Sequence, residues 1–327
     1  MYRYVITRLT QGVVVLLVVS FICFGMFQFI GDPVVTLAGQ YATQAQQEEV
    51  RIKMGLDKPF YIQYFIFLKN ALRGNFGLSY VTQTPVLGLI FERLPASIEL
   101  AISAMLIALI LGIGLGVIAS LNPRHFISRF IMVGSLFGIS LPTFLTGILL
   151  IIIFAVKLRL LPVFGRGEVI KIAGNWRTGF FTIDGLRHLI LPAFTLGTYQ
   201  MAVLLRLTRG GMLEVLREDY IRTARAKGVP PKIIIFKHAL RNALIPIVTM
   251  SGLQFGSLIA FSTVTETIFQ WPGAGNLLLT AIYETDYPVI VSYIMIASIF
   301  ILCINLVVDI LYGFLNPKIR YTEIKYK

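Results

Sequence analysis

Charge is scarce in this sequence. Only 14% of its 327 residues are Asp, Glu, Lys or Arg, against 56% apolar, and the mean hydropathy is +0.79. Soluble domains carry about 25% charged residues, so a water-soluble fold is excluded and an integral membrane protein is expected. Acids are scarcer than bases, 16 against 29, for a net charge of +13. Such a surplus can mark a nucleic-acid binder, but here the bases lie between long apolar runs, which points to the membrane surface and not to nucleic acid. The only two cysteines, Cys23 and Cys303, stand inside apolar runs, where a thiol behaves as a small hydrophobe, so neither a disulfide nor a metal site is expected. The three histidines, His125, His188 and His238, are far apart, and none stands in an H-E-x-x-H helix, which excludes a zinc protease of that kind. There is no G-x-x-x-x-G-K-[ST] phosphate cradle, so this chain does not by itself bind ATP in the usual way. No repeat at a fixed period and no low-complexity tract occurs, which tells against carriers built from two similar halves.

What is present is a series of apolar windows. Six are long enough for a hydrocarbon core that takes about 20 residues to cross: near 10–30, 98–122, 131–156, 189–206, 243–264 and 287–310. The fourth is the shortest. The first follows Arg3 and Arg8 as a signal peptide would. Its uncharged run from Leu9 to Gly31 is too long for one, and no small-residue cleavage site follows, so it is read as a retained span. Residues 206–242 carry nine Lys or Arg against Glu214, Glu218 and Asp219, whereas 265–286 carry Glu266, Glu284 and Asp286 with no base. The positive-inside rule then puts 206–242 and both termini in the cytoplasm. The stretch 157–188, with six bases, falls outside and runs against the rule.

The segment Asp32–Leu94 is predicted to be an ordered external cap over the outer mouth, because Phe60, Tyr61, Tyr64, Phe65, Phe67 and Leu68 recur near helical spacing. Inside the spans ionisable groups are few. Glu99 and Asp309 lie near span ends and read as end-capping or snorkelling acids, whereas a proton-coupled carrier would bury acids nearer the midplane. Glycines recur instead, in "LGIGLGVIAS" (111–120), "GSLFGISLPTFLTG" (134–147) and "SGLQFGSLIAFST" (251–263). That spacing lets helices approach closely, and Pro142, Pro192 and Pro246 are expected to loosen theirs. Together these features predict a bundle that moves.

"DYIRTARAKGVPPKIIIFKHALRNALIP" (219–246) resembles the cytoplasmic loop of ABC importer permeases, in the version used by the dipeptide and oligopeptide branch. With Gly228 on the glycine of the E-A-A-x-x-x-G signature, Ala224 and Thr223 take the alanine places and Arg222 replaces the glutamate. Four further pieces are similar in the same order: "RGNFGLSY" (73–80), "ERLPASIEL" (92–100), "ETIFQWPGAGNLLLTAIYETDYPVI" (266–290) and "LNPKIRY" (315–321).

The resemblance implies an all-α, six-span permease of the type I ABC importer fold. Its parts are a head and first span (1–31), an external insert (32–96), a core (97–318) with a bent coupling arm near 219–241, and a cytoplasmic tail (319–327). It implies a second, homologous permease as partner, two ATP-binding subunits that hold ATP and Mg, an external binding protein and a peptide cargo, with no cofactor or metal in this chain. The coupling residues would be Asp219, Tyr220, Arg222, Thr223, Ala224, Arg225, Ala226, Lys227 and Gly228. The small residues would let the ATPase approach closely, and Arg222, Arg225 and Lys227 would meet its acids. Ser140, Thr143, Gln254, Ser257 and Thr263 are the polar candidates for lining a path. Nickel chelates, glutathione and oligosaccharides are the alternative cargoes. A gradient-driven carrier and a membrane scaffold are the readings from other classes.

Overall fold

The computed structural model describes residues 2–30, 34, 43–53, 57–174 and 176–315. The described chain is almost wholly helical. Its helices are α1 (Tyr2–Ile30), α2 (Gln44–Lys53), α3 (Phe60–Leu72), α4 (Val86–Leu121), α5 (Phe126–Ser140) and α6 (Thr143–Leu150, continued by a π-helical stretch Ile151–Lys157). A two-stranded antiparallel hairpin, β1 (Ile170–Ala173) with β2 (Trp176–Thr178), comes next. Then follow α7 (Ile183–Val215), α8 (Asp219–Ala226), α9 (Pro231–Ile233, continued by a π-helical stretch Ile234–Leu240), α10 (Arg241–Phe261), α11 (Thr263–Ile268), α12 (Ala274–Tyr283) and α13 (Tyr287–Leu315).

Four helices are each long and apolar enough to cross a membrane: α1, α4, α7 and α13. Two bent pairs raise the number to six if each counts as one span. The expected third window, 131–156, is not a straight rod. Its two halves meet at 111° between Ser140 and Thr143. Pro142 is the cause, since a residue before proline is pushed out of the helical region, and Leu141 is extended at φ −79°, ψ 129°. The fifth window bends by 50° where Pro246 interrupts the helical bonds. Pro192, expected to loosen α7, lies inside an unbroken helix, as does Pro95 in α4. The fourth window, the shortest in the sequence, becomes the 33-residue α7. Its apolar stretch is 61% buried against 11% for α1, so α7 is the axis of the bundle.

The α4–α7 pair is the most closely packed in the molecule, and glycine is the reason. A Cβ on Gly112 would stand 2.9 Å from the Met201 carbonyl oxygen, one on Gly116 2.8 Å from the Leu205 carbonyl oxygen, and one on Gly197 2.7 Å from the Ala104 carbonyl oxygen. In lipid, where the hydrophobic effect does not drive helices together, such close backbone contact supplies the association energy. Gly256 performs the same service between α10 and α13, where Ile301 fills its place.

The described part of the 32–96 segment packs against the long helices. Helix α3 lies on the flank of α1 and α13, its Phe60, Tyr64 and Phe67 stacked or edge-on against Phe21 and Phe24, and the Tyr64 hydroxyl 2.9 Å from Ser20 Oγ. Phe67 and Ala71 reach Cys23, Val291 and Met295. The end of that segment is already helix α4, which starts at Val86. Residue 31, residues 32–33, 35–42 and 54–56 of the insert, and "LNPKIRY" beyond Leu315 with the 319–327 tail, lie outside the described residues. Asp309 on α13 pairs with Arg8 on α1 at 3.0 Å, so it ties the first helix to the last and does not merely cap an end.

Candidate coupling site

Between α7 and α10 the chain makes a bent arm. Helix α8 starts after an extended Glu218 and ends in a turn whose bonds close in a definite pattern. Val229 N donates to the Ala224 carbonyl at 3.1 Å and Gly228 N to the Arg225 carbonyl at 3.0 Å, with Gly228 at φ +76°. This is the Schellman ending: the residue after the cap must be left-handed, which glycine alone adopts without a Cβ penalty, and an apolar contact joins the two positions on either side. Here Ala224 and Val229, at those two positions, pack against the same buried cluster. The four-residue spacing of Ala224 and Gly228 therefore has a cause within this chain. Ala224 faces inward, and only Ala226 and Gly228 of the three small residues lie at the surface.

The arm is anchored through Ile221, which is fully buried against Val117 of α4, Met212 of α7, Ile234, Ala239 and Ala243. Tyr220 adds a polar tether, its hydroxyl accepting from Asn242 Nδ2 at 2.6 Å. Outward stand Arg222, Thr223, Arg225 and Lys227. Asp219 opposes them at the start, with Arg222 Nη1 3.3 Å from Asp219 Oδ1 and both groups solvated, so this pair contributes little to stability. An open groove of about 520 Å³ adjoins the arm, lined by Leu213, Glu214, Arg217, Glu218 and Asp219. A rigid, solvent-facing elbow, basic at one end and acidic at the other, is suited to receive another protein.

At the opposite end of α4, some twenty residues and thus about 30 Å away, three buried acids lock the loops together. Glu99 accepts from Arg166 Nε at 2.8 Å and from Arg166 Nη2, from Gly179 N at 2.8 Å and from Thr178 Oγ1 at 3.2 Å. Arg166 also lies 5.9 Å above the Trp271 ring, whose Nε1 donates to the Ala96 carbonyl at 2.9 Å. Glu266 accepts from Ser97 Oγ at 2.6 Å, Ser262 Oγ at 2.7 Å and Asn276 N at 2.9 Å, which caps the start of α12. A side chain at Gly273 would collide with that carboxyl group, which accounts for the glycine of "WPG". Asp286 accepts from Ser79 Oγ, Tyr80 N at 3.1 Å and Val81 N at 3.5 Å, and so ties "RGNFGLSY" to the start of α13. Burial and the adjoining Asp286 push the Tyr80 phenol far above its usual range, so it stays neutral.

Glu266 has no basic partner among these contacts, and burial pushes its carboxyl up against the pull of its hydrogen-bond donors. A native value raised above the unfolded one, about 4.3, means that the stability it contributes is complete below that pH and is lost as pH rises through the raised native value. The thermal midpoint of the purified chain in detergent is therefore expected to fall as pH is raised from about 4.3, and Glu266→Gln to flatten that fall. An unchanged slope in the variant would refute the assignment.

The sequence-derived path residues lie on four helices or at their ends. Ser140 and Thr143 flank the 111° bend, Gln254 and Ser257 sit on α10, and Thr263 opens α11. Ser257 Oγ turns back to the Leu253 carbonyl, whereas Gln254 Oε1 accepts from Gln200 Nε2 at 3.5 Å. The residues that sequence reasoning passed over are Ser79, Ser97, Arg166, Gln200 and Trp271, with Glu99 read as an end cap and Glu266 and Asp286 only as charge. One signal was available: acids in 265–286 with no lysine or arginine nearby in sequence must find donors elsewhere. Arg166, one of the six bases of 157–188, is paired with Glu99.

Residues 112–321 match the family described as binding-protein-dependent transport system inner membrane component, and residues 1–101 match its N-terminal companion. The chain is 44% identical over 317 residues to the di/tripeptide transport system permease protein DppB of Pseudomonas aeruginosa, covering 93% of this chain and 94% of that one. It is 42% identical over 322 residues to the glutathione transport system permease protein GsiC of Escherichia coli K12, covering 98% and 100%. With the dipeptide transport system permease protein DppB of Alkalihalophilus pseudofirmus it shares 38% over 333 residues, covering 98% and 100%. Among solved structures, the MetNI methionine ABC transporter in an inward-facing conformation is similar in fold, with TM-score 0.55 and 16% identity over 70% of this chain and 97% of that chain. The chain thus belongs to the multi-pass inner-membrane permeases of binding-protein-dependent ABC importers, the family that includes these peptide and glutathione permeases.

Proposed function

We propose that this chain is one of two homologous permease subunits of an ATP-driven peptide importer. It spans the membrane six times, each bent pair counting once, with the arm and both termini in the cytoplasm. The two permeases enclose the path, two ATP-binding subunits hold ATP and Mg and hydrolyse it, and an external binding protein delivers the peptide to the end locked by Glu99, Glu266 and Asp286. Relatives with peptide names at 38–44% identity support the cargo. The GsiC likeness favours glutathione, itself a tripeptide, as the second reading.

The observation that carries this function is the anchored elbow. Ile221 and the Schellman ending fix α8 rigidly to α4 and α7, so a push on Arg222, Thr223, Arg225, Ala226 or Lys227 is transmitted to the ends of both helices. Asp219, Tyr220, Ala224 and Gly228 hold the elbow in shape. A rigid link is what lets a partner's two states bias two states of the pore. Ser140, Thr143, Gln254, Ser257 and Thr263 line the path in this reading.

The test is Gly228→Trp. It places a bulky residue at a left-handed position at a strain of about 1–2 kcal/mol and enlarges the contact surface, where a Cβ itself meets nothing within 4 Å. The variant should still insert, but lose ATP-binding subunits on co-purification and lose ATP-dependent peptide uptake by about tenfold or more. Unchanged co-purification and uptake would overturn the elbow assignment.

A further inference from the structure

Three side-chain atoms among the described residues are buried without a hydrogen-bond partner, and all three lie on α7: Gln200 Oε1, Thr208 Oγ1 and Arg209 Nε. Thr208 packs against Gly116 in the α4–α7 contact, and Arg209 stands toward the arm end of α7. Gln200 is different. It stands at the centre of α7 and is 6% exposed, and its only recorded bond is the 3.5 Å donation to Gln254 Oε1, at the outer limit for such a bond. Gln254 stands near the centre of the bent second half of α10 and is only half-buried, so the pair meets the surface on the Gln254 side alone. A polar pair at mid-depth of a membrane bundle, imperfectly satisfied, marks a candidate functional site.

The chemistry of the pair narrows what it takes. A carboxamide presents one carbonyl acceptor and one N–H donor side by side, as a peptide group does. The vacant Gln200 Oε1 calls for an N–H, and the long Nε2–Oε1 bond is readily exchanged for a carbonyl. A peptide backbone offers both groups whatever its side chains are. We propose that Gln200 and Gln254 form a mid-membrane subsite that hydrogen-bonds the main chain of the passing cargo, Gln200 Oε1 accepting a backbone N–H. This deepens, and rests on, the reading of the protein as a peptide importer. It gives a reason for indifference to side chains: the contact reads the one feature common to all peptides. A cargo N–H on this oxygen removes the cost of burying it unpaired.

The experiment uses the complete transporter in proteoliposomes, with both permeases, the ATP-binding subunits and the binding protein. Maximal import rates are compared for tri-alanine and for tri-alanine methylated at its central amide nitrogen, each at saturating concentration, in wild type and in Gln200→Leu. Wild type should import the methylated peptide about fivefold more slowly, and Gln200→Leu should import tri-alanine about fivefold more slowly with no further loss on methylation. Equal wild-type rates for the two peptides, or a methylation penalty that persists in Gln200→Leu, would overturn the subsite. Should Gln200→Leu fail to assemble, Gln200→Met, which keeps the length and flexibility of the side chain, is read in the same way. A wild-type complex that hydrolyses ATP yet imports neither peptide would instead sink the peptide cargo itself.

Discussion

Replacing Glu99 with alanine should lower the thermal midpoint of the purified chain in detergent by roughly 10 °C, one of the largest effects of any single change in the molecule. The carboxylate is 3% exposed and its partner Arg166 only 9%. Removing one member of a buried pair strands the other charge away from water, at about 3–5 kcal/mol, and a chain of this size shifts by roughly 2–4 °C per kcal/mol. Arg166→Ala should cost a similar amount, because it strands the acid. The double variant Glu99→Leu, Arg166→Met should recover most of the loss, since neither charge is then left buried. A midpoint within 2 °C of wild type for Glu99→Ala, or a double variant no better than the singles, would show that the knot is not what holds 158–182 against α4.

Leucine at Gly116 should abolish assembly, whereas leucine at Gly114 should be nearly silent. The two positions differ by two residues in one helix and by everything in their surroundings. A Cβ at Gly116 would come 2.6 Å from Thr208 Cβ and 2.8 Å from the Leu205 carbonyl oxygen, while one at Gly114 meets nothing within 4 Å. Because the obstacle is backbone, no rotamer change relieves it, and α4 must part from α7. Overpacking costs typically about 1–3 kcal/mol even where side chains can adjust, so a larger loss is expected here. The measurement is the yield of monodisperse permease after detergent extraction, with ATP-dependent uptake as a second readout. Comparable yields for the two variants would refute the α4–α7 packing.

How much of this was legible in advance depends on the range of the interactions. The membrane class followed from composition, and helix positions followed from apolar run length, because both are local consequences of excluding water from backbone groups. The elbow was legible too. Gly228, Pro230 and Pro231 stop a helix by local sterics, so the bend was readable without knowing what it touches. The inward turn of Ala224 was not, since a surface alanine and a tucked one look alike in sequence. Nor was the 111° break at Pro142 distinguishable in kind from the unbroken helix at Pro192. Whether proline bends a helix depends on whether neighbours re-satisfy the freed carbonyl groups.

The acids show the same limit most clearly. Glu99 reads as an end cap, and Glu266 and Asp286 as surface charge. Each has a donor far off along the chain: Arg166 is 67 residues from Glu99, Ser97 is 169 from Glu266 and Ser79 is 207 from Asp286. By itself the sequence determined a basic, multi-span bundle with a kinked arm, since these rest on composition and short-range sterics, and five of its segments carried the resemblance to the family. Tertiary structure alone decided which glycines are contacts and which are free. It also decided which charges are buried and paired, and that two glutamines meet at mid-depth. Burial and hydrogen-bond satisfaction belong to the neighbours a residue acquires on folding, and the identity of the residue does not fix them.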